Sequence, residues 1–232
     1  VATLHRAAGL PGPSKAEVVR LALKRMVRTL GTRRHQAAPL GKAEIAQIFE
    51  AAGMTLSECR DVSLLLVMRD MLARRSEVVA LEVADLEFAA DGTATVIIRR
   101  SKTDQAGAGA VCWLGQQTVR ELSRWLDAAG IAGGPIFRPV SKAGVVDDTA
   151  LASGEVSRIL KRLAHQAGLE ASTVSGHSAR VGMAQDLVAR GADLPAVMQA
   201  GRWKTPAMPA RYAERLLARR GAVARFHEQG GD

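Results

Sequence analysis

The chain has 232 residues, 47% of them hydrophobic and 24% charged, enough to bury a full core as one large domain or as one domain plus a fragment. Lys and Arg number 32 against 23 Asp and Glu, a formal net charge of +9, so a polyanionic partner is expected, nucleic acid above all. The longest apolar runs, such as "SLLLVM" at 63–68, are far too short for a membrane-spanning helix, and Cys59 and Cys112 form neither a metal-ligand spacing nor a disulfide framework. The expected setting is reducing and cytoplasmic.

"GLPGPS" (9–14) is rich in turn residues, and Ser14 is positioned to cap an amphipathic helix whose apolar stripe is Val18, Leu21, Leu23, Met26 and Leu30. One such helix cannot form a core alone. Residues 1–34 therefore read as the last helix of a truncated N-terminal domain plus the start of a linker, and 35–232 as a second domain. Helices are predicted at 42–52, 56–72 and 75–81. Strands follow at 93–102, after the turn signal Asp91-Gly92, and at 110–114, with a Gly- and Ala-containing tip between them. Beyond them the helical pattern returns at 116–129, 153–167, 177–190, 194–200, 206–219 and 222–228. The fold class is mainly α with a small antiparallel β-sheet, an α+β protein.

Five local features carry possible chemistry, and each also has a purely structural reading. "RRSEVVAL" (74–81) sets Arg74, Arg75 and Glu77 at the head of a helix, where Ser76 and Glu77 also suit a capping turn. "RRSKTD" (99–104) leaves a strand and carries Lys102 into a turn. In "SGHSARVGMAQDL" (175–187) Ser175 or Ser178 can cap, while His177 and Arg180 share a face of the first turn; packing and an anion site remain equally open. "MQAGRWK" (198–204) ends a helix at Gly201 and presents Trp203, an indole donor, beside two bases. "PARYAERLLARR" (209–220) holds Tyr212, the one tyrosine of the chain. A phenol has a reference pKa of about 10, so a tyrosine nucleophile needs cations and a base to ionise.

Taken together, Arg, Lys, His-x-x-Arg, Trp and Tyr in this order resemble the active-site set of the tyrosine recombinases, the phage integrase family. "SGHSARVG", "MQAG", the terminal "GAVARFHEQGGD" and "LHRAAGLPGPS" near the start extend the resemblance along nearly the whole chain. It implies that residues 35–232 are the catalytic domain and that 1–34 end a core-binding domain. It also implies that Tyr212 attacks a DNA phosphodiester to form a 3′-phosphotyrosyl link, without ATP. Arg74 and Arg180 would bind the non-bridging phosphate oxygens, Trp203 would donate to one of them, and Lys102 would protonate the leaving 5′-oxygen. His177 would handle the tyrosine proton, and Glu77 would orient Arg74. The sequence has no Gly-rich phosphate loop and no cluster that demands a metal, so no cofactor is expected.

The expected partner is double-stranded DNA carrying a specific, inverted-repeat site, bound by a tetramer that is monomeric without DNA. Arg6 and Lys142 match DNA-facing segments of the family. The predicted 153–167 helix leaves Arg158, Lys161 and Arg162 on its outer side, a candidate for the major groove. In the last helix, Val223 and Phe226 would dock on a neighbouring protomer. A type IB topoisomerase, a telomere resolvase and a non-cutting DNA-binding accessory protein are the alternative functions.

Overall fold

The structure, a computed structural model, describes residues 2–31, 36–100, 109–219 and 221–229. The chain divides into two compact units, Val1–Gln36 and Ala37–Asp232. The first comprises α1 (Ala2–Ala7), a 3₁₀ turn at Pro13–Lys15 and α2 (Glu17–Leu30). Ser14 does not cap α2 as expected. It lies inside the 3₁₀ turn, which Pro13 starts with its fixed φ, and Ala16 becomes the N-cap residue.

The second unit is arranged around α4 (Leu56–Asp70). Thr55 and Glu58 start this helix reciprocally: the Glu58 carboxylate accepts the Thr55 N–H at 3.1 Å, and the Thr55 hydroxyl accepts the Glu58 N–H. Every residue from Cys59 to Met68 is buried, so α4 has no solvent face and must be enclosed by its neighbours. Those neighbours include α5 (Arg75–Val78), α6 (Gln116–Ala129), α7 (Ser153–Gln166) and α8 (Ser178–Ala189), and α3 (Lys42–Ala51) packs in turn on α7 and α8. Val119, Leu122, Trp125 and Leu126 turn one face of α6 inward, and the Trp125 indole donates to the Ile136 carbonyl at 2.8 Å. In α7 the buried stripe is Val156, Ile159, Leu160, Leu163 and Ala164.

Strands β1 (Leu86–Phe88), β2 (Ala94–Ile98) and β3 (Ala110–Leu114) form an antiparallel sheet in that order. Val96 pairs with Leu86 and Cys112, which sets the apolar face of the sheet on the core. β1 was not expected. At three residues, with a partly exposed pattern, it has no periodic signal of its own and forms by pairing with β2. The strand expected at 93–102 is shorter, running from Ala94 to Ile98 with Arg99 and Arg100 already outside it, and residues 101–108 of the tip lie outside the described residues.

After α8 come α9 (Leu194–Gly201), α10 (Ala207–Tyr212), α11 (Glu214–Arg219) and α12 (Ala222–Gln229). The single helix expected at 206–219 is thus broken at Ala213, whose buried side chain joins a second, smaller cluster with Leu72, Ala184, Val188 and Val197. Trp203 and Tyr212 pack on that cluster, while most of α4 belongs to the main core. No helix among the described residues is long and apolar enough to cross a membrane.

Candidate active site

Helix α4 ends inside the protein, and the candidate site is built on that end. Met71, Leu72 and Ala73 are buried, and Leu72 takes a left-handed backbone with φ 45°. Carbonyls at a helix C-terminus lack intrahelical donors and carry partial negative charge, so when buried they need partners. Two arginines supply them. Arg180, in the first turn of α8, donates through Nη1 to the Leu72 carbonyl and through Nη2 to that of Gly201. Arg202, just past α9, donates through Nη1 to the Met71 carbonyl at 2.8 Å. One helix end therefore gathers α8 and α9 around it.

Glu77 is the carboxylate among these cations. It is 2% exposed, which is tolerable only because both oxygens are occupied. Oε1 accepts from Arg74 Nη1, and Oε2 accepts the Arg74 backbone N–H at 2.9 Å and Arg202 Nη2 at 2.9 Å. Burial pushes the Glu77 pKa upward, but the Arg74 bonds and the Arg202 and Arg74 charges overcome it and hold the group below the usual carboxylate value. The expected link from Glu77 to Arg74 is present. Because the carboxylate reaches back to the amide at the start of α5, it also caps that short helix.

Arg180 is 2% exposed, and its pKa is drawn down to about 10, by burial first and then by the charges of Arg74 and Arg202. At neutral pH it remains a cation. Its guanidinium lies over the Trp203 ring, 4.3 Å from the centroid, and that ring meets Tyr212 edge-on at 5.9 Å. Gln185, farther along α8, donates to the Tyr212 carbonyl at 2.9 Å and fixes the backbone that carries the phenol. Burial raises the Tyr212 pKa, with Arg180, Arg211 and Arg74 pulling the other way. The phenol is therefore protonated at neutral pH, and a nucleophile made from it requires a proton acceptor.

His177 is the N-cap residue of α8, so neither serine occupies the cap. Both serines brace the turn instead: Ser175 Oγ accepts the His177 N–H at 3.2 Å, and Ser178 Oγ accepts the Ser175 N–H at 2.9 Å. The His177 ring reaches the surface, yet enough protein surrounds it that burial, followed by the charges of Arg75, Arg180 and Arg74, holds its pKa below the ordinary value. A neutral imidazole can accept a proton. Arg75 lies against Gly176, where a Cβ would collide with its stem, and donates to Ser157 of α7 at 3.2 Å.

Residues 39–218 match the Phage integrase family. The chain belongs to this family, the tyrosine recombinases. It is 33% identical over 222 residues to an integrase/recombinase XerD homolog of Selenomonas ruminantium, covering 90% of this chain and 64% of that protein. It is 28% identical over 246 residues to the Cre recombinase of Escherichia phage P1, covering 98% of this chain and 71% of that protein. The chain thus spans less than two thirds of the first relative's length. The crystal structure of XerA recombinase superposes with a TM-score of 0.61 at 17% identity, covering 90% of this chain and 76% of that one. A lambda integrase (75–356) dimer bound to a COC′ core site gives 0.55 at 19% identity, covering 91% of this chain and 76% of that one. The fold is accordingly that of tyrosine-recombinase catalytic domains.

Within this recombinase fold Arg74, Glu77, His177, Arg180, Trp203 and Tyr212, drawn from four segments of the chain, form one cluster. Lys102 lies outside the described residues, beyond the end of β2. Arg6 belongs to the other unit, in α1. Lys142 is exposed in the turn closed by the Ser141 N–H to Val145 carbonyl bond at 2.8 Å. On α7, Lys161 and Arg158 are exposed, the latter paired with Glu155, whereas Arg162 pairs with the buried Asp61. In α12, Val223 and Phe226 are exposed.

Sequence reasoning missed Arg202 as part of the site. The helix was expected to stop at Gly201, the residue type that most readily takes a left-handed cap. Instead Gly201 is the last helical residue, and Arg202 takes the left-handed conformation with φ 56°. Gly201 serves a different purpose: the Trp203 ring folds onto its Cα, where any Cβ would clash. Left-handed backbone costs a residue other than glycine about 1–2 kcal/mol, which the Arg202 hydrogen bonds offset.

Proposed function

We propose that the chain is the catalytic part of a site-specific DNA recombinase that cuts and rejoins strands through a covalent tyrosine intermediate. The observation that carries this reading is the convergence of Arg74, Arg180, His177 and Trp203 with Tyr212 at the buried end of α4. In the proposed reaction the Tyr212 oxygen attacks a phosphodiester phosphorus as its proton passes to His177. The P–O5′ bond breaks, leaving a 3′-phosphotyrosyl link and a 5′-oxygen that takes a proton from Lys102. Attack by a 5′-hydroxyl of another strand reverses these steps, so no ATP is consumed and no cofactor is needed. Arg74 and Arg180 stabilise charge on the non-bridging oxygens, for which planar bidentate donors are suited, Arg180 through the N–H groups left over by its bonds to the Leu72 and Gly201 carbonyls. Trp203 adds an indole N–H.

The DNA is bound as a duplex with an inverted-repeat site, across which four protomers assemble in the cytoplasm. Residues 1–34 close a core-binding domain, and Arg6, Lys142, Arg158 and Lys161 reach DNA while α7 faces the major groove. Val223 and Phe226, at 74% and 73% exposure, dock on an adjacent protomer.

Trapping tests the reading. Incubated with a nicked duplex carrying a site selected from random DNA, the protein should form a covalent adduct that Tyr212→Phe abolishes. An equal adduct with Tyr212→Phe would sink the assignment. Relaxation of supercoils without site preference would point to a topoisomerase, and hairpin products to a telomere resolvase.

A further inference from the structure

We propose that Arg202 is a positioning residue of the phosphate site: by occupying one oxygen of Glu77 it keeps Arg74 from closing onto that carboxylate, leaving Arg74 donors for DNA. The proposal rests on the recombinase reading above and assigns a role that none of the motif residues fills.

Arg202 itself is not arranged to bind a ligand. Both its terminal nitrogens are committed inward, Nη1 to the Met71 carbonyl and the Cys112 sulfur and Nη2 to Glu77 Oε2. Its Nε is buried with no partner among the described residues, and its side chain is 17% exposed. Arg74 is the opposite case. Among the described residues only its Nη1 and its backbone N–H donate, both to Glu77, so Nε and Nη2 remain available.

A carboxylate and a guanidinium otherwise favour a bidentate fork, two parallel N–H···O bonds. At Glu77 the fork is blocked, because Oε2 already accepts the Arg74 amide and Arg202. Removing the Arg202 guanidinium frees Oε2 for a second Arg74 nitrogen, and Arg74 turns toward Glu77 and away from the phosphate. The left-handed backbone of Arg202 aims the side chain back across the end of α4. The residue also ties the loop bearing Trp203 to the segment bearing Arg74.

The test uses Arg202→Gly, since glycine adopts φ 56° without strain, and Arg202→Lys, which restores the charge but not the fork. With the nicked duplex described above, DNA affinity and the single-turnover adduct rate at saturating DNA are measured separately. Arg202→Gly should slow the adduct about tenfold or more while changing affinity no more than about twofold, and Arg202→Lys should recover part of the rate. Combined with Glu77→Gln, Arg202→Gly should add little further loss, because both act through one carboxylate.

An unchanged rate, a loss confined to affinity, or full additivity with Glu77→Gln would overturn the proposal. A second readout needs no DNA: the Glu77 carboxyl titration, followed by NMR in the free protein, should move upward in Arg202→Gly. An unmoved titration refutes the hold of Arg202 on Glu77 whatever the DNA chemistry. If the unsubstituted protein forms no Tyr212-dependent adduct, the recombinase reading fails and the positioning role falls with it; the titration still distinguishes that failure from the first.

Discussion

Two buried carboxylates in this protein each lie between two arginines, and they serve opposite ends. Asp61, on α4, is fully buried; its Oδ1 accepts Arg60 Nε at 2.9 Å and Nη2 at 2.7 Å, and its Oδ2 accepts from Arg162 of α7. The remaining Arg60 nitrogen donates to the Arg138 carbonyl at 3.2 Å. Arg60 is saturated and holds α4 to its surroundings. Glu77 has the same composition of neighbours, but Arg74 keeps donors in reserve and its side chain is 22% exposed. A carboxylate that saturates its arginine makes a structural clamp, whereas one that engages it on a single nitrogen can present it to an anion.

That contrast can be broken experimentally. The largest effect expected is on stability: Asp61→Ala should cost about 3–5 kcal/mol by stranding a buried Arg60, read by denaturant unfolding, with the adduct rate of the folded protein unchanged. Glu77→Gln should show the reverse weighting, an adduct rate roughly a hundredfold lower at saturating DNA with a smaller loss of stability. If both substitutions act mainly on stability, the distinction between clamp and presented arginine is wrong.

Arg162 and Lys161, adjacent on α7, sharpen it further. Arg162→Ala should cost about 1 kcal/mol of stability, because its partner Asp61 is buried although Arg162 itself is half exposed. Lys161→Ala should leave stability alone and reduce the slope of log affinity against log salt by about 1. The smallest effect concerns pH. Because the His177 pKa is lowered, the imidazole stays neutral down to below its ordinary 6.5, and the acidic limb of the adduct rate should lie below that value. Arg75→Ala removes one of the charges responsible and should move the limb upward; a limb that stays in place would free Arg75 of any part in it. By the same sign, folding loses stability as pH falls from 6.5 toward the lowered pKa.

Much of this was legible in the sequence. The helical periods of α6 and α7 are local signals, and local signals survive tertiary packing. Element ends were less legible. α5 stops at Val78 rather than at 81 because Leu81 gives its carbonyl to Ile136, and the 206–219 helix breaks where Ala213 enters a core. β1 exists only through its pairing. At the site, residue types and order alone brought Arg74, His177, Arg180, Trp203 and Tyr212 together through resemblance to a family, but not the contacts among them.

The sequence by itself determined the class of the fold, the basic character and the set of side chains that can handle a phosphate, because each is a matter of composition, period or motif. Only the tertiary structure decided which arginines are spent and which are spare. Leu72 and Arg202 both adopt left-handed backbones, and the end of α4 is buried, so the hydrogen-bond demand of that end recruits Arg180 and Arg202. That demand arises when a helix terminus is removed from water, which depends on what packs over it and is written in no local stretch of the chain.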